Sequence, residues 1–147
     1  MKRDSRLSTV LHGLLHMAQA DMAMTSDVLA ACMGTNPVVV RRNMGLLRKA
    51  GIVSSTKGHS GGWRIVADLD TITLRDLHDA LGEPAVFAIG IRNAQTECLV
   101  EQAVNAALDE TLTEAEALLL RRFETITLGQ LAEDFSTRFA GRHPPGR

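Results

Sequence analysis

Between about Glu97 and Glu124 the chain carries neither glycine nor proline. Val100, Ala103, Val104, Ala107, Leu108, Leu112, Ala115, Leu118, Leu119 and Phe123 recur there at helical spacing. One helix over that stretch is about 40 Å long at 1.5 Å per residue, longer than a domain of 147 residues is wide. A helix that overhangs its own domain needs a cover for its apolar positions, and the commonest cover is a second copy of the chain. The stretch therefore predicts a helical homodimer.

Ahead of it the order is helix, short helix, helix, hairpin. Leu7, Val10, Leu11, Leu14, Leu15 and Ala18 predict a first helix of about four turns. Thr25 or Ser26 caps a short second helix carrying Val28, Leu29, Cys32 and Met33, which Gly34 breaks. Asn36-Pro37 starts a third helix over 36–50, a side-chain cap followed by a proline whose missing N–H costs nothing there. Gly51 stops it. Ile52–Thr56 and Trp63–Ala67 are β-rich, and the turn residues Lys57-Gly58-His59-Ser60-Gly61-Gly62 join them as a hairpin. Thr73 with Asp76 has the form of a capping box heading Leu74, Leu77 and Leu81. Ile126-Thr127-Leu128-x-x-Leu131 looks like Ile72-Thr73-Leu74-x-x-Leu77, which two threonine-capped helices explain better than a duplication.

A short helix, a turn, a longer helix and a hairpin form a winged helix-turn-helix. The expected fold class is mainly α with a small β-hairpin. A DNA-binding domain covers 1–83. A dimerisation region covers 84–139, with the long helix at about 97–124 and a short closing helix, and 140–147 is expected to be a disordered tail.

The net charge of −1 conceals a division. Residues 1–67 hold nine Lys/Arg against three Asp, a balance of +6, while residues 68–147 hold seven Arg against fourteen acids, a balance of −7. A basic N-terminal half calls for a polyanionic partner. Aromatic residues make up 3% of the chain, with no tyrosine, which speaks against single strands stacked on aromatic platforms. Double-stranded DNA is the expected partner. No apolar run approaches the roughly 18 residues of a membrane span, and Met1–Arg6 leads into no apolar signal segment, so no membrane partner and no export are expected. Two cysteines build no disulfide framework, which fits a cytoplasmic protein. No P-loop, strand-linked GxGxxG or HExxH occurs, so no enzyme is expected.

The third helix has two jobs. Val40, Met44 and Leu47 lie on the face that would be buried, while Val38, Arg41, Arg42, Gly45 and Lys49 fall on the other. Guanidinium forks suit guanine edges and phosphates, and residues near the start of a recognition helix reach bases. Asn36 and the first free N–H groups suit a phosphate, and Lys57, His59 and Ser60 at the hairpin tip suit the backbone or minor groove. Trp63 is read as the anchor of the wing on the third helix.

Asn36-Pro37-x-x-Val40-Arg41-Arg42, Leu47-x-x-Ala50-Gly51-Ile52-Val53, Gly58-x-x-Gly61-Gly62-Trp63-x-Ile65 and Ile72-Thr73-Leu74-x-Asp76 resemble the "Rrf-two" family of bacterial winged-helix regulators. That family includes the iron–sulfur cluster regulator, the nitric-oxide-sensitive repressor and the cysteine-metabolism repressor. The resemblance covers most of the chain. It implies a homodimer joined through the long helix, with two wings on a palindromic operator, and a repressor is the expected role.

Cluster-binding members place three cysteines before the long helix. Here that loop reads Asn93-Ala94-Gln95-Thr96-Glu97-Cys98, so only the last matches, and neither an iron–sulfur cluster nor any other cofactor or bound metal is expected. Cys98, near a helix start, is the candidate redox sensor, and Cys32 reads as core. His12 and His16 have metal-ligand spacing, but with no third ligand evident they read as packing or a solvated edge. The alternative functions are protein–protein interaction through the acidic half, or thiol-based sensing at Cys98. An oxidant or a small molecule bound near Phe87 and Ile89 is the expected signal.

Overall fold

The computed structural model describes residues 6–20, 22–84, 86–87 and 93–142. They form α1 (Arg6–Gln19), α2 (Ser26–Met33), α3 (Pro37–Lys49), β1 (Val53–Thr56), β2 (Gly62–Ile65), α4 (Leu74–Ala80), α5 (Leu99–Phe123) and α6 (Leu128–Arg142). Ile89 and residues 143–147 lie outside this description.

Local chemistry sets the boundaries of the first three helices. α1 buries Val10, Gly13, Leu14 and Met17, a single 3.6-period stripe. Thr25 caps α2 by accepting from the Val28 N–H, and Gly34 closes it in the left-handed region at φ 67°. A Cβ on Gly13 would stand 2.7 Å from the Met33 sulfur, so the missing side chain lets α1 and α2 cross closely.

The hairpin is antiparallel, with Val53 opposite Ile65 and Ser55 opposite Trp63. Its second strand also pairs on the far edge. The Trp63 N–H donates to the Met24 carbonyl at 2.8 Å, and the Met24 N–H donates back at 3.0 Å. Gly62, at φ 137°, makes this possible, because a Cβ there would lie 2.5 Å from the Met24 oxygen. A Gly62→Ala variant combines a strained backbone with a collision against main chain that cannot swing away. It is expected to lose about 2–3 kcal/mol, read as a lower denaturation midpoint at unchanged slope.

The look-alike segments of the sequence meet in space. The Leu74 N–H donates to the Ile126 carbonyl at 2.9 Å, and the Leu128 N–H donates to the Ile72 carbonyl at 2.8 Å, with Thr73 bridged to Thr127. Each threonine heads a reciprocal cap: Thr73 with Asp76, and Thr127 with Gln130. One motif used twice therefore ends two loops and pairs them.

The core draws Val10 and Leu14 from α1, Leu29 from α2, Val40, Met44 and Leu47 from α3, and Leu77 from α4. Leu128 of α6 is fully buried in the same cluster. α5 stands apart. None of its 25 residues is buried, and Leu99, Val100 and Val104 are 78%, 74% and 51% exposed. Most of its half-buried positions lie between 112 and 123, where it meets α4. Arg75 of α4 bonds Asp79 at 3.0 Å and Glu124, just past α5, at 3.3 Å. The hydrogen bond to Asp79 is the main cause raising the Arg75 pKa.

The closing helix is longer than the sequence reading expected. α6 has 15 residues and continues to Arg142, so the helix takes in residues 140–142 of the supposed tail. Pairs four apart sustain its last turns: Arg138 bonds Asp134 at 2.8 Å, and the Phe135 and Phe139 rings lie 6.1 Å apart.

Candidate nucleic-acid interface

α3 begins at a cap that uses Asn36 directly. The Asn36 Oδ1 accepts from the Val39 N–H at 3.1 Å, and Pro37 occupies the first turn. The carbonyl end of Asn36 is thus committed to the helix, and its amide Nδ2 is the donor it can offer outward. Val40, Met44 and Leu47 face the core as the spacing predicts. Asn43 joins them at 2% exposure. Its position, three after Val40 and four before Leu47, is an inward one by period, and its polar side chain disguised that.

The opposite face is open. Val38 is 61% exposed, and Arg41, Arg42 and Lys49 are exposed with it. A Cβ on Gly45 would meet nothing within 4 Å, so no protein atom stands over the middle of this face. Lys57, His59 and Ser60 are exposed at the hairpin tip, whose turn is closed by the Gly61 N–H donating to Gly58 at 3.0 Å. The eight residues singled out in the sequence occupy two elements, the α3 face and the tip, and no direct bond joins the two sets among the described residues.

What fixes the tip relative to α3 lies at the base of the hairpin. The Arg48 guanidinium donates to the Ser55 Oγ at 3.1 Å and lies 5.9 Å from the Trp63 ring centroid. The Trp63 Nε1–H donates to the Ser26 Oγ at 3.0 Å. Trp63, 9% exposed, is therefore held by α2 as well as α3. Arg48, Ser26 and Met24 are positioning residues, and Ser26, a candidate cap by sequence, serves Trp63 instead while Thr25 caps α2. Arg48 was visible only as another cation seven positions after Arg41, because its partners come from other elements.

Cys98 is exposed at the N-cap of α5, and its side chain makes no capping bond. Cys32 is half-buried. Among the described residues no three His, Cys, Asp or Glu side chains gather as a metal-binding group. With Cys98 the only cysteine in the loop before α5, the donor set does not fit a four-ligand iron–sulfur cluster. No helix of the described residues is long and apolar enough to cross a membrane.

Comparison with known proteins agrees with this architecture. Residues 3–134 match the family model Rrf2, described as an iron-dependent transcriptional regulator. YwnA of Bacillus subtilis (strain 168), described as an HTH-type transcriptional regulator, is 35% identical over 109 residues, covering 74% of this chain and 80% of YwnA. The crystal structure of a transcriptional regulator from Lactobacillus plantarum superposes with a TM-score of 0.72 at 24% identity, over 91% of both chains. CymR of Staphylococcus aureus in its oxidized form gives 0.64 at 17% identity, over 90% of this chain and 97% of CymR. These last two likenesses speak for the fold. The matched family and its relatives are transcriptional regulators rather than enzymes, and the winged helix, the family match and the YwnA identity together place this chain in the Rrf2 family of transcriptional regulators.

Proposed function

We propose that this chain is a homodimeric, sequence-specific repressor. It binds a palindromic operator with α3 in the major groove and the wing on the backbone or minor groove. The observation that carries this reading is the outward face of α3, with Val38, Arg41, Arg42 and Lys49 exposed on a helix whose other side is sealed in the core. Arg41 and Arg42 supply bidentate donors for guanine or phosphate, Lys49 and the Asn36 Nδ2 supply phosphate contacts, and Lys57, His59 and Ser60 follow the backbone from the tip.

Two copies are needed because one α3 reads only a few base pairs. The unburied apolar positions of α5 are the natural surface for joining them, since a single chain leaves Leu99, Val100 and Val104 in water. Joined there, the acidic C-terminal halves sit together and the basic halves remain for the duplex. No resident cluster enters this reading, since the donor set does not fit one.

Selection of bound duplexes from a random pool tests the proposal. The expected product is a two-fold-symmetric motif whose half-sites lie about 34 Å apart, or a multiple of that. A pool with no enrichment, even at low salt, would reject operator binding and favour a role in protein–protein interaction.

A further inference from the structure

α1 carries His12 and His16 one helical turn apart, both exposed. They stand on the rim of a groove of about 440 Å³ between α1 and α6, with Leu11, Leu15, Leu131 and Phe135 as its apolar wall. The two rings are nearly parallel, 17° apart, with centroids separated by 4.8 Å, yet their Nε2 atoms are only 2.9 Å from each other. The rings therefore converge at their Nε2 ends, where one nitrogen donates to the lone pair of the other.

That separation is the one a chelate requires. A cation held at about 2.0–2.1 Å by two imidazole nitrogens places them about 2.9 Å apart at a right angle and about 3.3 Å apart at the tetrahedral angle. The observed separation already sits at the near end of that range. With the shared proton on the Nδ1 of its own ring, both Nε2 lone pairs are free to bind a cation.

We propose that His12 and His16 form a two-histidine binding site for a borderline divalent transition cation of the Ni2+, Cu2+ or Zn2+ class. Imidazole donors suit these ions, whereas Mg2+ and Ca2+ need the carboxylate and carbonyl oxygens that this rim does not gather. No third His, Cys, Asp or Glu joins the pair among the described residues. The remaining coordination positions go to water or an exogenous donor, which makes the site exchangeable rather than structural. α1 packs against both α2 and α6, so the ion would sit on the element joining the helix-turn-helix to the C-terminal helix. The site is separate from the cysteine loop and independent of the operator reading.

The full-length protein is titrated with Ni2+ against a competing chelating indicator. One equivalent is expected to bind, and His12→Gln and His16→Gln should each weaken it about tenfold or more, while Cys98→Ser leaves it within about twofold. Retention of wild-type affinity by both His12→Gln and His16→Gln overturns the site, as does loss of the bound equivalent on changing Cys98 alone. In the unaltered protein, substoichiometric Cu2+ should broaden the His12 and His16 ring proton resonances before those of other histidines. Broadening that begins elsewhere also overturns it.

Discussion

Replacing Arg41 and Arg42 together with alanine is expected to lower operator affinity by about two orders of magnitude or more, since each bidentate guanidinium pair carries about 1–3 kcal/mol. The loss should fall on recognition and spare the fold, because both side chains project from α3 away from Val40, Met44 and Leu47. A mobility-shift series across salt concentration separates the two jobs an arginine can do. If both touch phosphate, the logarithmic salt slope shrinks by about 2 and weak and strong sequences lose affinity alike. If they read bases, the slope changes little and discrimination against point-mutated operators collapses. Specific binding that survives with an unchanged slope would mean that α3 is not the reading element.

The second large effect is expected at α5. Val104 and Leu108, four apart on the same helix face, are 51% and 38% exposed. Changing both to glutamate places two charges where the proposed dimer would bury apolar surface, and buried charges without partners are strongly unfavourable. Light scattering should report a monomer. Operator affinity should fall about 10²–10⁴-fold, because each half-site is then engaged without the benefit of its tethered neighbour. The thermal stability of the separate chain should change little, since α5 contributes no buried residue to its own core. A double variant that remains dimeric would assign assembly to another surface.

Much of the helix-turn-helix was legible because its signals act over three or four residues. Thr25, Asn36 and Thr73 cap the helices their positions predict, and Gly34 and Gly51 have the positive φ that a helix stop requires. The stripes of α1 and α3 were legible for the same reason. α5 was expected from about 97 to 124 and runs from Leu99 to Phe123, a difference confined to its ends. α6 was underestimated because its persistence depends on Asp134–Arg138 and Phe135–Phe139 pairs outlasting a glycine in the final turn. Period alone does not weigh such pairs.

Asn43 marks a different limit. Its place in the heptad-like spacing pointed inward, but an amide on a helix is normally read as solvent-facing. Trp63 anchors the wing, as its place at the base of the hairpin predicts. The sequence could not say that Ser26 would accept its N–H, or that Arg48 would lie over its ring.

The amino-acid sequence by itself determined where the elements up to α5 start and stop to within a residue or two, which side of α3 is apolar, and how charge divides between the two halves. Those properties follow from propensity, capping and period, all of them local. Only the tertiary structure decided that Thr73 and Thr127 would pair, that Trp63 would join α2 and α3, and that no residue of α5 would be fully buried. Only there, too, do the rings of His12 and His16 converge to 2.9 Å. Three of these bring together, or keep apart, residues distant in the chain, and the fourth rests on the rotamers of two neighbouring rings. The spacing of residues along the chain carries no record of either.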